Sequence, residues 1–214
     1  MEPISAETIQ KAAMQLFSQQ GYEGTSLAQI AKQVGIKKPS IYAHFSGKAD
    51  LFLHVFDQVL HHQQIYTKQW IEQSQHQTVQ KRLYQILFSA CQYFLEHEQE
   101  TAFLKRAMLF PPPSLKDSLR TQFLKWEQSI SSLLSSLFEE GIQKREIQPL
   151  DIENLLSSYY CLLDGSFIQL HYYGRKGFET RLDQVWKLFW AGIAFKDQGG
   201  AEDGLGDSGD RRNL

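Results

Sequence analysis

The sequence predicts an all-α fold, and three observations support this. The 214 residues are 42% hydrophobic and carry a net charge of only −2, a balance that favours a packed core over a disordered chain. No run alternates between apolar and polar residues, and no Asn-Gly or Asp-Gly pair joins two β-branched runs. The prolines stand where helices can begin or be joined, at Pro3, Pro39, Pro111, Pro112, Pro113 and Pro149.

The first helix is expected over residues 6–20. Ser5 is suited to cap its N-terminus, and Gly21 can end it in a left-handed conformation. One face of this helix is apolar with helical spacing, through Ile9, Ala13, Leu16 and Phe17. These residues are expected to be buried.

Two short helices are expected next, joined by a tight turn. Ser26 and Gln29 have the spacing of a capping box at the start of helix 2, and Gly35 can end that helix. Helix 3 follows with Pro39 in its first turn. The apolar positions that would fix the crossing of the pair are Leu27, Ile30, Ala31, Val34, Ile36, Ile41 and Phe45.

The remaining helices are expected at 48–67, 78–98, 101–110, 114–141, 149–173 and 178–196. Pro111–Pro113 and the glycines at 174 and 177 mark two of the breaks between them.

We expect an N-terminal domain over 1–48, a helical domain over 49–197, and a disordered Gly/Asp-rich tail over 198–214. The sequence shows neither a signal peptide nor an apolar run long enough to span a membrane, which predicts a cytoplasmic protein without a membrane partner.

The charge is unevenly distributed. Residues 1–48 contain five basic and three acidic residues, and the segment 25–48 contains four lysines and no acidic residue. Such a segment on an acidic body is typical of a compact head that binds a polyanion, although a solvated lysine surface would look the same. The residues of helix 3 left outside the core are Lys37, Lys38, Pro39, Ser40, Tyr42 and His44, which are able to reach DNA phosphates.

A helix-turn-helix pattern alone is weakly specific, but residues 21–51 also carry a more specific set of features: Gly21-Tyr22, Thr25-Ser26, Ile30-Ala31, Gly35-Ile36, Ile41-Tyr42, His44-Phe45, and Lys48 followed by Leu51. With these features the segment resembles the TetR/AcrR family of bacterial transcriptional regulators. The resemblance implies an N-terminal helix-turn-helix head and a C-terminal helical domain that binds a ligand and forms a dimer.

The resemblance also implies which residues contact double-stranded operator DNA. They are Thr25, Ser26, Lys37, Lys38, Pro39, Ser40, Tyr42, His44 and Lys48. Thr25 and Ser26 would cap helix 2 and meet a phosphate there, residues 37–40 would lie closest to the base edges, and the other three would contact phosphates. Simpler alternatives remain open: a half-buried core ring for Tyr42, an exposed histidine without a DNA role for His44, and a merely solvated Lys48.

The body is rich in aromatic residues, since 23 of the 27 lie beyond residue 48. We expect a cavity for a small hydrophobic, aromatic or cationic effector, contacted from 88–126 and 159–167. The candidate ligand-binding residues are Tyr93, His97, Phe110, Phe123, Trp126, Tyr160 and Asp164. For any single aromatic residue, an ordinary place in the core or in a dimer contact is the competing interpretation.

The last two predicted helices have wide apolar faces, and two such helices from each subunit would form a four-helix bundle. The candidate residues of this homodimer interface are Leu155, Leu156, Leu163, Val185, Phe189 and Ile193. A two-fold dimer also suits DNA recognition, because one small head makes too few contacts to select an operator.

The combined prediction is a dimeric DNA-binding repressor that a small hydrophobic ligand releases from its operator. The alternative is an architectural or protein-interaction DNA-binding factor without an effector. An enzyme is not expected, because no nucleophile elbow or P-loop is present. No metal or cofactor is expected, because His54 and His61 are two helical turns apart, and Cys91 and Cys161 lack metal-type spacing.

Overall fold

The computed structural model describes residues 5–196, and in this range the chain is helical with no strand beyond one isolated bridge between Ile147 and Ala194. The helices are α1 Ala6–Gly24, α2 Leu27–Val34, α3 Lys38–Ile41, α4 Lys48–Gln73, α5 Val79–Glu96, α6 Glu98–Leu109, a 3-10 helix Pro113–Leu115, α7 Lys116–Gln143 and α8 Ile152–Ile193. The predicted all-α fold is confirmed. The expected disordered tail at 198–214 lies outside the described residues.

The predicted N-terminal cap of α1 and the predicted end of α2 are found, whereas α1 continues past its predicted end at residue 20 to Gly24. Ser5 Oγ accepts a hydrogen bond from the Thr8 backbone N–H, and Gly21 interrupts α1 with φ of 74°. Gly35 adopts the left-handed conformation, with φ of 79°, and closes α2. In this conformation the Ile36 N–H reaches the Ala31 carbonyl at 2.9 Å, so the turn between α2 and α3 is fixed by the backbone.

Three elements differ from the expectation. Helix α3 ends at Ile41, and the chain continues to Phe45 as hydrogen-bonded turns. Helix α4 ends at Gln73 instead of residue 67. The two last predicted helices form one element, α8, which bends at Gly174, where φ is 62° and ψ is 179°.

The buried residues form two clusters that share helix α4. The first half of α4 packs with α1–α3, and the same cluster includes Phe103, Leu104 and Ala107 of α6. The second cluster joins α5, α7 and α8, and Tyr66 and Ile71 of α4 pack against it. The predicted boundary after residue 48 thus falls at the start of a helix that is built into both clusters. Between residues 5 and 196, no helix is long and apolar enough to cross a membrane.

Candidate DNA interface and ligand cavity

The N-terminal end of α3 projects from the head. Ile30 and Ala31 of α2 and Ile41 of α3 are buried, and they hold the two helices against each other. On the opposite side, residues 37–40 are all exposed. Within the described chain, neither Lys37 nor Lys38 forms an ion pair, so both ammonium groups are available to a polyanion.

Tyr42 and His44 extend this surface. The Tyr42 side chain is 52% exposed, which places its ring on the outside of the head, and His44 is exposed as well. Phe45, in contrast, points inward and is buried. The surface therefore combines cations, a hydroxyl, a phenol and an imidazole on one side of α3, which are the groups that commonly bind DNA phosphates and base edges.

Ser26 and Thr25 have different roles. Ser26 is exposed and caps α2: the Gln29 N–H donates to Ser26 Oγ at 3.2 Å, and the Ser26 N–H donates to Gln29 Oε1 at 2.7 Å. Thr25 is only 1% exposed, and its hydroxyl donates to the Gly21 carbonyl at 2.8 Å. The prediction that Thr25 caps α2 is therefore wrong, because its hydroxyl bonds back to the end of α1.

Lys48 is turned toward α1. Its ammonium donates to the Tyr22 carbonyl oxygen at 2.8 Å, lies 4.0 Å from the centroid of the Tyr22 ring, and is 4.0 Å from Glu23 Oε2. In this structure the lysine joins the start of α4 to the end of α1. The resemblance implies a phosphate contact for Lys48, which stays a prediction, and the observed contacts join the head to α4.

An apolar cavity lies in the body between α4, α5, α6, α7 and α8. Its lining residues are Leu60, Gln63, Phe94, Leu104, Met108, Phe123, Trp126, Glu127, Tyr160, Leu163, Asp164 and Phe167. Four of the seven residues predicted to bind a ligand are brought together here: Phe123, Trp126, Tyr160 and Asp164. The cavity volume is about 50 Å³, far below the roughly 300–1,000 Å³ of typical ligand pockets, so an organic ligand would have to displace lining side chains.

The other three predicted ligand residues lie elsewhere. Tyr93 is fully buried, and its hydroxyl bonds to Glu100 and to the Val59 carbonyl, as expected of a core residue. His97 caps the end of α5 and stacks on the Tyr93 ring at 4.4 Å. Phe110 is 80% exposed and borders a separate open cleft between α1 and α6. These three predictions relied on composition alone, which does not show which way a ring faces.

Sequence reasoning missed the contribution of α4 to the cavity, whereas α6 lies within the expected range 88–126, although none of its lining residues was among the candidates. Leu60 and Gln63 come from α4, and Leu104 and Met108 come from α6. The only available signal was Gln63, a polar residue in a helix whose neighbours Val59 and Leu60 are apolar. Its position relative to α7 and α8 depends on contacts that are distant in sequence.

The polar groups of the cavity are incompletely paired. Burial raises the pKa of the Asp164 carboxyl, and burial followed by repulsion from Asp164 raises the pKa of the Glu127 carboxyl. The indole N–H of Trp126 is buried without a hydrogen-bond partner. The Tyr160 hydroxyl bonds to Ser131 Oγ at 2.8 Å. The cavity thus presents an aromatic wall and two carboxyl groups that share one environment.

The predicted dimer residues divide into two groups. Leu155 and Ile193 are buried within the chain, so their side chains are not available to a partner. Leu163 lines the cavity. Leu156 and Phe189 are half-buried against the second cluster, whereas Val185 is exposed. The large exposed apolar residues of α8 are Ile168, Tyr172, Tyr173, Val185 and Leu188, of which Leu188 is 76% exposed. Helix α8 therefore buries one face within the chain and leaves the other face exposed.

Comparison with known proteins agrees with this architecture. Residues 9–55 match the family described as bacterial regulatory proteins, tetR family. The chain is 26% identical over 172 residues to YttP of Bacillus subtilis, named as a probable HTH-type transcriptional regulator, with 80% of this chain and 81% of YttP covered. It is 29% identical over 163 residues to IcaR of Staphylococcus aureus, a negative regulator of the biofilm operon icaADBC, with 73% and 82% covered.

Among solved structures, FadR of Bacillus subtilis in complex with stearoyl-CoA superposes with a TM-score of 0.72 at 19% identity, covering 88% of this chain and all of that one. The structural similarity supports a helix-turn-helix head followed by a helical domain. The resemblance to the TetR family is confirmed. The homologues are transcriptional regulators, which are not enzymes.

Proposed function

We propose, on the premise that residues 9–55 carry the DNA-binding segment of the TetR family, that this chain is a cytoplasmic, dimeric transcriptional repressor. It binds double-stranded operator DNA through α3 and leaves the operator when a small hydrophobic ligand enters the body. The observation that carries this proposal is the exposed N-terminal end of α3, with two unpaired lysines on a rigid turn.

On DNA, the start of α3 would enter the major groove. Lys37 and Ser40 are proposed to reach base edges, whereas Lys38, Tyr42 and His44 contact the phosphates beside them. The N-terminus of α2 adds backbone N–H groups near Ser26, which favour a phosphate electrostatically. Two such heads related by a two-fold axis would contact successive major-groove faces of a palindromic operator.

The dimer is proposed to form through α8. The exposed apolar side chains Val185 and Leu188 lie on the second half of this helix, and Ile168 and Tyr172 lie on the first half. Exposed apolar residues spread along a bent helix match what a four-helix bundle between two subunits would bury. This interface would set the distance between the two heads.

Ligand binding is proposed to act on the head through α4 and α6, because both helices line the cavity and both hold α1. Helix α4 holds α1 through Lys48, whose ammonium donates to the carbonyl oxygen of Tyr22 in α1. Helix α6 does so through Arg106, whose guanidinium donates to the Gln19 carbonyl at 3.2 Å. A ligand that displaces Met108 would therefore shift helices that position the head. The coupling required is about 1–3 kcal/mol, a range typical of linked sites.

The proposal is tested with purified protein and duplex DNA. Selection from a random duplex pool should yield one palindromic site, and fluorescence anisotropy should then give its affinity at several salt concentrations. The double variant Lys37→Ala/Lys38→Ala should bind this site more weakly, with the salt slope lowered by about 0.9 for each lost phosphate contact. The matched control is Lys81→Ala, an exposed lysine of α5.

Two results would count against the proposal. Binding without any selected sequence would favour the architectural alternative, and equal losses in the Lys81→Ala control would show that the lysines act only through overall charge. Release is tested by titrating DNA-bound protein with a ligand. By linkage, DNA must weaken ligand binding by the factor by which the ligand weakens DNA binding.

A further inference from the structure

We infer that the effector of the body cavity is a lipophilic cation, with an amine or ammonium head beside Glu127 and Asp164 and an apolar body among the aromatic residues. This inference rests on the proposed function, since it names the class of ligand for the same cavity. The proposed function requires only a hydrophobic ligand, whereas this inference also specifies that the ligand carries a positive charge.

The first argument is the charge of the cavity. Glu127 of α7 and Asp164 of α8 line the same space, and neither forms an ion pair with any residue in the range 5–196. The cation that approaches the cavity wall, Lys105, lies 5.0 Å from the centroid of the Phe167 ring and is not within ion-pair distance of either carboxylate. Glu127 is half-buried, whereas Asp164 lines the cavity but is exposed to solvent. The charge of Asp164 disfavours the ionised form of Glu127, and a bound cation would relieve that repulsion.

The second argument is the amide of Gln63. This residue of α4 is only 5% exposed and lines the cavity, so its side chain is part of the cavity wall. A ligand that enters the cavity would exclude water from this amide and would have to supply it with a hydrogen-bond partner. Its carbonyl oxygen is an acceptor for an ammonium N–H. Gln63 would thus join the ligand's head to α4, the helix that continues to the DNA-binding head.

The third argument is the aromatic wall. The rings of Phe123 and Trp126 lie 5.5 Å apart on α7, and Tyr160 lines the cavity from α8. Ring faces attract cations and pack against flat apolar bodies, with the strongest attraction at tryptophan. The unpaired Trp126 indole N–H adds one donor for an acceptor on the ligand body. This combination selects an amphipathic molecule with one positive end.

The same groups would reject anions. A carboxylate or phosphate placed in the cavity would be a third negative group beside Glu127 and Asp164, and the repulsion would be stronger at the half-buried Glu127 than at the exposed Asp164. FadR was solved with stearoyl-CoA, a ligand that carries phosphates. Despite the shared fold, we therefore expect this chain to bind a ligand of opposite charge.

The experiment uses one aromatic body in three charge states: 4-phenylbutylamine, 4-phenylbutanol and 4-phenylbutanoate, with stearoyl-CoA as a fourth probe. Binding to the full-length protein is measured by calorimetry at pH 7.5. The amine should bind about tenfold more tightly than the alcohol, which corresponds to one well-placed charge interaction, and the two anionic probes should bind more weakly still. Asp164→Asn and Glu127→Gln should each remove most of the preference for the amine and leave the affinity for the alcohol unchanged.

The matched control is Glu139→Gln on α7, an exposed residue outside the cavity, which should keep the full preference. Thermal melts of all variants verify folding, and the unchanged affinity for the alcohol verifies that the cavity is intact. Equal binding of the amine and the butanoate, or an amine affinity unchanged in both carboxyl variants, would overturn the inference.

DNA anisotropy in parallel separates this inference from the proposed function. If stearoyl-CoA releases DNA and the amine does not, the protein is still a ligand-responsive regulator and the cation assignment is wrong. If the amine binds with the expected dependence on both carboxylates but never changes DNA affinity, the cation site stands and the release mechanism fails.

Discussion

The ammonium of Lys48 lies 2.8 Å from the Tyr22 carbonyl oxygen and 4.0 Å from the centroid of the Tyr22 ring. The same carbonyl also accepts the Thr25 backbone N–H at 3.3 Å. Lys48 is the first residue of α4, and Tyr22 follows the break at Gly21 in α1. One charged hydrogen bond and one cation–π contact thus connect the head to the helix that forms part of the cavity wall.

We predict that Lys48→Ala lowers the free energy of unfolding by about 1–2 kcal/mol, since a charged hydrogen bond and its ring contact are lost together. Chemical denaturation measures this change. Operator affinity should also fall, because the head is less firmly held, but the slope of affinity against salt should stay at the wild-type value. A slope lowered by about one would instead assign Lys48 to a phosphate.

The two roles of Ser26 are separable by substitution. We predict that Ser26→Ala lowers the free energy of unfolding by about 1 kcal/mol, because the α2 cap is lost, whereas Ser26→Asp retains stability, because aspartate also caps helices well. If a phosphate binds beside this helix terminus, Ser26→Asp should nevertheless weaken DNA binding through repulsion. Denaturation and anisotropy measured on both variants provide the comparison, and normal DNA affinity in Ser26→Asp would place the phosphates elsewhere.

The turn between α2 and α3 could be predicted because its signals are local. Ser26 and Gln29 are three residues apart, and Gly35 has to adopt a left-handed conformation that side chains disfavour. Each of these features is a property of a few consecutive residues. The buried faces of α1 and α2 follow equally from helical spacing. The structure confirms them at Ile9 and Phe17 and, in α2, at Leu27, Ile30 and Ala31, whereas Val34 is only half-buried.

The cavity and the outer face of α8 could be predicted only in part, because they depend on which helices meet. Asp164 and Trp126 are both candidate ligand-binding residues on the sequence alone, but nothing local joins them to Gln63 of α4. Leu155 and Leu188 are both apolar residues of α8, and only the packing of α5 and α7 decides that the first is buried and the second exposed.

We predict that Leu188→Lys prevents the proposed dimer from forming, because the charge would have to be buried without a partner in the bundle. The control is Leu124→Lys on α7, where an exposed leucine of similar character lies on a different helix. Light scattering coupled to size exclusion should report a monomer for the first variant and a dimer for the second. A dimeric Leu188→Lys protein would move the interface away from this part of α8.

The carboxyl groups of the cavity should reduce stability in the absence of a ligand. Burial raises the pKa of the Asp164 carboxyl, so the folded protein retains this proton to a higher pH than the unfolded chain does. Between the two pKa values the folded state binds more protons, and its stability falls as the pH rises. Above both values, the full cost of holding the ionised group remains.

Glu140 provides the opposite case. Its carboxylate accepts hydrogen bonds from Lys144 at 2.6 Å and from Arg82 at 2.7 Å, and these hold the pKa of the carboxyl below the usual range. The group therefore stabilises the fold at any pH above its pKa in the unfolded chain. This contribution is lost as the pH falls through its pKa in the folded protein. The two carboxyl groups should therefore respond to neutralisation with opposite signs, although both lie on helices of the body.

We predict that Asp164→Asn raises the free energy of unfolding at pH 7, whereas Glu140→Gln lowers it. Both differences should shrink toward about pH 3, where the carboxyl groups of the unfolded chain are also protonated. Denaturant titrations at pH 3, 5 and 7 measure the two trends. A destabilised Asp164→Asn protein at pH 7 would mean that Asp164 has a stabilising partner, and the cavity would then lack the unpaired charge that favours a cationic ligand.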